Sequence, residues 1–175
     1  PVDVREWGAD FVAAAGHTWL VGPWGAGFLY IDRSVADGLT PGVAGYRSVA
    51  DPGAADLELK AGAPRLEVGT TSPAPYRGLV TAIETMEAIG YDTITGRIER
   101  LTDRLKAGLD DDRLLSPRQY ESGLVTFAAA DPEGLVERLA AADVYVRSLP
   151  YPEAVRASVH VFNTAADVDA LLDAL

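Results

Sequence analysis

The fold is decided by residues 13–30, whose sequence is AAAGHTWLVGPWGAGFLY. This pattern predicts the end of a strand, a tight polar turn, a loop rich in glycine and proline, and a second strand. The small residues at positions 13–16 allow the backbone to approach a neighbouring group closely. His17 and Thr18 follow an apolar run, at the place where a strand can present side chains to a cleft.

The composition excludes several classes of protein. The chain has 175 residues, 48% of them hydrophobic, and is long enough to bury a core as one or two small domains. Its apolar runs are too short for a transmembrane helix, and we find no secretory leader. Cysteine is absent, which excludes disulfides and thiolate metal sites. We therefore expect a cytoplasmic protein that binds no membrane.

The charge is strongly acidic. Asp and Glu number 26 against 15 Lys and Arg, which gives a formal net charge of −11, and the only lysines are Lys60 and Lys106. This balance favours a halophilic protein, because an acidic surface stays hydrated in high salt, although an ordinary acidic bacterial protein has a similar composition. It argues against a nucleic-acid partner, since no basic patch is present to displace counterions.

The periodicity predicts an α/β chain with a boundary near Gly90. The first part contains two strands, a long loop with little periodicity and one helix, predicted at 9–14, 25–31, 34–65 and 76–89. The second part is predicted as helix, strand, helix, strand, strand and helix, at 92–109, 123–129, 132–142, 144–149, 154–161 and 165–175. That order indicates a small α+β domain with a split, ferredoxin-like sheet.

The last predicted strand carries a second chemical signal. Arg156, Ser158 and His160 alternate with small or apolar residues, so the pattern predicts three polar side chains on one face of the sheet. The charged face of the helix at 92–109, which includes Arg97, is predicted to be solvated. Thr164 with Asp167 predicts the cap of the closing helix.

These motifs together resemble the class V aminotransferases, the fold-type I enzymes that use pyridoxal phosphate (PLP) and include cysteine desulfurases and isopenicillin N epimerase-like proteins. The family pattern is roughly Ser-Gly-His-Lys, a short apolar stretch, Gly-Pro, and then Gly-x-Gly-x-Leu-Tyr. Here residues 15–18 are AGHT, residues 22–23 are GP, and residues 25–30 are GAGFLY. Thr18 stands at the position of the Schiff-base lysine, and Ala15 replaces the family's serine.

The resemblance implies a fold and a truncation. Residues 1–90 correspond to the tail end of the large PLP-binding domain, and residues 91–175 to the small C-terminal domain. The match covers about the second half of a family chain, so the residues that stack on the cofactor ring and pair with its nitrogen lie ahead of this segment. Trp7, Trp19 and Trp24 should then be exposed or covered by a partner.

The resemblance also implies site residues. His17 would contact the cofactor, and Gly69 with Thr70, in a segment similar to the family's Phe-Glu-x-Gly-Thr, would contact the phosphate of the neighbouring subunit in a homodimer. Arg156 lies in RASVHVFNT, which is similar to the family's Arg-x-Ser-x-His-x-x-Asn-Thr, and would hold the α-carboxylate of an amino-acid substrate. The alternatives are a plain turn before a helix for residues 69–70 and a surface salt bridge for Arg156.

Other chemistries have weaker support. No nucleophile elbow is present for a serine hydrolase, and two histidines without cysteine disfavour zinc, so we expect no metal. The glycines at 22–27 precede a strand, whereas a dinucleotide loop precedes a helix.

Two functions remain. One is a PLP-dependent protein acting on an amino acid, which is inactive as this chain stands because Thr18 offers no amine. The other is a non-catalytic fragment or pseudoenzyme that keeps the fold and a dimer interface.

Overall fold

The structure, a computed structural model, describes residues 2–119 and 122–175. The chain divides into two compact units, Pro1–Ala88 and Ile89–Leu175, each described here by itself. Pro1, where the predicted first domain begins, lies outside the described residues. The assignment of residues 1–90 and 91–175 to the two domains of a PLP-dependent enzyme stays a prediction.

The first unit is built on an antiparallel hairpin. Strand β1 spans Phe11–Ala15 and strand β2 spans Gly27–Ile31, close to the two strands that the sequence predicts. Their register runs from Phe11 opposite Ile31 to Ala15 opposite Gly27. The glycine-rich segment 16–26 therefore connects the two strands, and His17 and Thr18 lie directly after β1.

The hairpin exposes apolar side chains on both strands. Phe11 is 50% exposed, Phe28 51% and Leu29 46%, and the three tryptophans of this unit are also exposed: Trp7 60%, Trp19 40% and Trp24 81%. An isolated pair of strands is marginally stable in water, because most of its apolar surface stays wet. The exposure of Trp7, Trp19 and Trp24 agrees with the expectation that these side chains are exposed or covered by a partner.

The long segment between β2 and the next long helix is held by local contacts. Helix α1 spans Arg33–Ala36 and is capped by Asp32, whose carboxylate accepts from the Ser34 backbone N–H at 2.9 Å. Farther along, Arg65 donates to the backbone carbonyl oxygens of Leu39 at 3.1 Å and Lys60 at 3.0 Å. Helix α2, Pro73–Ile89, closes the unit and starts three residues earlier than predicted.

The second unit has the predicted order of elements. It comprises α3 (Tyr91–Gly108), β3 (Leu124–Phe127), α4 (Pro132–Ala141), β4 (Arg147–Pro150), β5 (Glu153–Ser158) and α5 (Ala165–Asp173). In its described part the sheet order is β3-β5-β4 with antiparallel neighbours. Strands β3 and β4, joined by α4, are thus separated by β5, which is the split arrangement that the sequence predicts.

One face of this sheet is covered by the helices. Side chains from β3 and β5 meet apolar residues of α3, α4 and α5 in one cluster, which includes Leu105, Val125, Phe127, Leu135, Leu139, Val155, Ala157, Val168 and Leu171. Phe127, Val125 and Val155 are fully buried there. Because side chains alternate along a strand, the residues between these positions project from the opposite face.

The helix caps in this unit form as predicted. Asp131 accepts from the backbone N–H of Gly134 at 2.9 Å, with Pro132 at the first position of α4. Thr164 and Asp167 form a reciprocal capping box at the start of α5. Both are short-range patterns, so they depend on neighbouring residues and little on the rest of the fold.

The prediction for the last strand is wrong at its end. Strand β5 stops at Ser158, and His160 is buried at 8% exposure instead of standing on a polar face beside Arg156. The physical reason is a turn, in which the His160 backbone N–H donates to Asn163 Oδ1 at 2.8 Å and the Asn163 N–H donates to the His160 carbonyl at 3.1 Å. The ring of His160 stacks on Phe162 with centroids 4.7 Å apart.

Candidate functional site

The turn after β1 is shaped by close backbone contacts. Gly16 donates its N–H to the Ala26 carbonyl at 2.9 Å, and Gly22 donates to the Gly16 carbonyl at 2.9 Å. A Cβ at position 16 would lie 2.6 Å from Leu79 Cδ1 and 3.2 Å from the Ala26 carbonyl oxygen, so a larger residue here would displace the Leu79 side chain of α2. These glycine contacts therefore fix the backbone path at His17 and Thr18, the two residues that the sequence analysis singles out.

His17 and Thr18 have different surroundings in this turn. The His17 ring stacks on Trp24, with ring centroids 4.2 Å apart and planes 17° apart. Thr18 is exposed, and its carbonyl accepts the Val21 N–H at 3.0 Å. His17 therefore has an aromatic partner from the glycine-rich loop, whereas Thr18 presents an exposed side chain.

A shallow cavity of about 400 Å³ lies on the hairpin beside this turn. It is lined by Ala13, Ala14, Ala15, His17, Gly25, Ala26, Gly27 and Phe28. The lining is made of small residues plus the rings of His17 and Phe28. The cavity offers no amine, because none of its lining residues is lysine.

Gly69 and Thr70 lie in the segment that leads into α2. The Thr70 hydroxyl hydrogen-bonds the hydroxyl of Tyr46, and Ser48 Oγ donates to the Glu67 carbonyl at 2.7 Å. A Cβ at Gly69 would meet nothing within 4 Å, so the backbone there is open on that side. Thr70 is thus oriented by a residue of the long loop, beside an accessible peptide. In the described part of the chain no hydrogen bond joins this segment to the turn at residues 17 and 18.

Arg156 lies on the central strand of the second unit, on the face opposite the helices. It stands opposite Thr126 of β3 and opposite Arg147 of β4. Its Nε is buried and has no hydrogen-bond partner within the described residues. A surface salt bridge, the alternative that the sequence left open, is absent among residues 2–119 and 122–175. The guanidinium is therefore available to an anion.

Three contributors are missed by the sequence. Trp24 stacks on His17, Tyr46 bonds Thr70, and Arg147 stands beside Arg156. The stacking of Trp24 on His17 has only a weak local indication, which is an aromatic residue within the glycine-rich loop. The other two depend on contacts between segments far apart in the chain, so no local pattern indicates them.

The described residues offer neither a candidate metal cluster nor a membrane-spanning helix. Residues 2–119 and 122–175 contain no group of three His, Cys, Asp or Glu side chains placed to hold a metal ion. Among the described helices, none is long and apolar enough to cross a membrane.

The chain is similar to known proteins over nearly its whole length. The family model described as Aminotransferase class-V matches residues 1–171. A probable cysteine desulfurase of Pyrococcus abyssi is 31% identical over 191 residues, 99% of this chain and 48% of the relative. Another, of Methanothermobacter thermautotrophicus, is 31% identical over 194 residues, again 99% and 48%. The chain thus spans about half the length of the curated relatives it matches.

Solved structures give the same result. A mutant of C-DES with glycine covalently linked to its PLP cofactor superposes with a TM-score of 0.88 at 26% identity, covering 99% of this chain and 47% of that one. The apo structure of a cysteine desulfurase from Thermococcus onnurineus NA1 has a TM-score of 0.87 at 29% identity, covering 97% and 47%. Both are twice as long as the segment they share with this chain.

Proposed function

Because the chain belongs to the class V aminotransferase family, we propose that it is part of a PLP-dependent protein that acts on an amino acid and that it is inactive as it stands. The observation that carries this proposal is that the chain keeps several residues of the family's binding motifs while the lysine is replaced. His17, Gly69, Thr70 and Arg156 match the residues that the family uses to bind, whereas Thr18 occupies the position of its lysine.

The binding residues suit the cofactor and substrate of the family. His17, with Trp24 stacked on it, would contact the cofactor, and the open peptide at Gly69 with the Thr70 hydroxyl would bind its phosphate. Arg156, with no acidic partner among the described residues, would hold the α-carboxylate. PLP, when bound, supplies an electron sink for the amino acid's α-carbon.

Thr18 does not fit the covalent role. A hydroxyl cannot replace a primary amine as the attachment point, and at neutral pH it is far too weak a base to move the α-proton. On this proposal the chain keeps His17, Gly69 and Thr70 as cofactor contacts and lacks the lysine that reacts. The chain also has no cysteine, so a desulfuration would need its sulfur-accepting thiol from another chain or segment.

The second candidate is a non-catalytic fragment or pseudoenzyme that retains the fold and a homodimer interface. The exposed hairpin favours it, because Phe11, Phe28 and Leu29 need a covering surface whether or not chemistry occurs. In both candidates the protein is acidic and, on our proposal, cytoplasmic and halophilic, with neither nucleic acid nor membrane as a partner.

The deciding experiment is a PLP titration of the protein, followed by borohydride reduction and intact-mass analysis. We expect saturable binding, seen as a cofactor absorbance change and quenching of tryptophan fluorescence, without a pyridoxyl adduct at residue 18. An adduct lost in Lys60→Arg or Lys106→Arg would mean that another amine stands in for the lysine and would overturn the inactive state. No binding at all would reject the first candidate in favour of the second.

A further inference from the structure

The long loop of the first unit contacts the segment that leads into α2 through its backbone. A Cβ at Gly45 would overlap the carbonyl oxygen of Val68, so a larger residue at position 45 would force the two backbones apart. Val68 directly precedes Gly69 and Thr70. The loop turn at residues 45–48 therefore lies against the segment that carries the proposed phosphate contacts.

Ser48 makes the hydrogen bonds that hold this contact. Its side chain is fully buried, and its Oγ accepts the Gly45 backbone N–H at 3.1 Å and donates to the Glu67 carbonyl at 2.7 Å. One hydroxyl thus closes the turn and joins it to the segment before α2. The Arg47–Glu67 ion pair, at 2.9 Å, connects the same two segments, but both of its side chains are exposed, and such pairs constrain position weakly.

Tyr46 lies in the middle of the turn and links it to Thr70. Their hydroxyls hydrogen-bond each other, and both residues are exposed, so a ligand can reach them. A phenol is a stronger acid than an aliphatic alcohol, so Tyr46 is the better donor of the two. The Thr70 proton is then left to donate to an oxygen of an anion.

We propose that Ser48 is a positioning residue for phosphate binding, because it fixes the turn that carries Tyr46, and Tyr46 orients the Thr70 hydroxyl toward the anion. This inference rests on the proposed function, in which Gly69 and Thr70 contact the cofactor phosphate. Ser48 is buried, so it acts without touching the ligand. Loss of its hydroxyl removes both hydrogen bonds that hold the turn, and Tyr46 is then no longer kept against Thr70.

The test compares PLP with pyridoxal, which has the same ring and lacks the phosphate. Both are titrated by tryptophan fluorescence at fixed ionic strength, and the ratio of their dissociation constants measures what the phosphate contributes to binding. We expect the parent protein to bind PLP at least about tenfold more tightly than pyridoxal. Ser48→Ala should remove most of this preference and leave the affinity for pyridoxal unchanged.

A double-mutant cycle separates positioning from a general loss of structure. Tyr46→Phe keeps the ring and removes the hydroxyl, so it should lower the preference as Ser48→Ala does. In the Tyr46→Phe background, Ser48→Ala should lower it no further, because both changes act on the same Thr70 hydroxyl. Ser116→Ala is the matched control: it removes a hydroxyl that accepts the Thr126 N–H at 2.8 Å in the second unit, and it should leave the preference unchanged.

Three results would overturn the proposal: an unchanged preference in Ser48→Ala, an equal weakening of both compounds, or additive losses in the double variant. If Ser48→Ala does not fold, Tyr46→Phe decides, and a preference like that of the parent protein rejects the proposal. PLP binding by the parent protein distinguishes the two failures. A protein that binds PLP and gives any of these results rejects this inference alone, whereas one that binds neither compound rejects the proposed function and the inference with it.

Discussion

Arg97 of α3 donates a hydrogen bond from Nη2 to the backbone carbonyl oxygen of Asn163, at 2.6 Å. Its Nε donates to the Val161 carbonyl at the same distance, so one guanidinium holds two peptides of the segment that follows β5. That segment contains buried His160 and the cap of α5. The prediction of a wholly solvated face on α3 is therefore wrong at Arg97. Its two hydrogen bonds hold the turn after β5 against the helix.

Substitution of Arg97 by lysine should destabilise the second unit. Lysine keeps the charge and cannot reach both carbonyls with a planar fork, so one partly buried acceptor loses its donor. We expect the free energy of unfolding to fall by about 1–2 kcal/mol, measured by urea denaturation. The matched control is Arg100→Lys, at an exposed position one turn along α3. Equal losses in both variants would contradict the structural role of Arg97.

Gly22→Ala should destabilise the first unit. A Cβ at this position would lie 2.7 Å from the Gly16 carbonyl oxygen, the same atom that accepts the Gly22 N–H, so the backbone must move and the turn loses its closing bond. We expect a loss of about 1–3 kcal/mol in thermal or urea unfolding.

Gly42→Ala provides the control for that substitution. A Cβ at Gly42 would meet nothing within 4 Å, so the change removes only unfolded-state freedom and should be neutral or stabilise by up to about 1 kcal/mol. If Gly22→Ala behaved like Gly42→Ala, the close approach of the turn to Gly16 would be refuted.

How much of this could be predicted from sequence depends on the range of the interactions. The Thr164 cap, the Asp131 cap and the two strands around the glycine-rich turn arise from neighbouring residues, and the sequence predicts all of them. The early end of β5 was missed because the Asn163 side chain, three residues beyond, captures the His160 N–H. The alternating pattern of the strand gives no sign that a turn replaces the strand hydrogen bonds at His160.

The candidate site divides in the same way. His17, Thr18, Gly69, Thr70 and Arg156 are found because short motifs carry them. The pairing of Arg147 with Arg156, and of Tyr46 with Thr70, depends on register and loop path over many intervening residues. Alternation fixes which face a side chain takes but not which residue of another strand lies opposite.

The second unit should lose stability in acid partly through Asp167. The Thr164 backbone N–H, donating at 2.8 Å, and then the Asn163 side chain hold the pKa of the Asp167 carboxyl below its usual range. Folding therefore favours the charged form, so the contribution is complete above the unfolded-state pKa and is lost as pH falls through the lower folded-state value.

Asp167→Asn tests this expectation. Urea midpoints measured from about pH 6 to about pH 2 should show a stability difference from the parent protein that is constant at the upper end and shrinks at the lower end. Asp103→Asn, at an exposed position of α3, is the control for the removal of a carboxylate. A difference for Asp167→Asn that stays constant across the whole range would show that its carboxylate is not preferentially stabilised by folding.

Thr18→Lys should restore covalent attachment of PLP only when the rest of the family's site is supplied. The cavity beside residue 18 is shallow and lies on a hairpin whose apolar side chains are exposed, so PLP bound there stays open to water and is not held in place for the new amine to attack. In this chain alone we expect a low yield of borohydride-fixed adduct at residue 18, measured by peptide mass analysis that separates it from Lys60 and Lys106. When co-expressed with the family region that this chain does not cover, the same variant should reach about one adduct per chain. Thr18→Met, which has similar length and no amine, should give no adduct in either case. A stoichiometric adduct in the chain alone would mean that residues 1–175 already form a complete cofactor site. The exposed hairpin would then need no further polypeptide to complete that site.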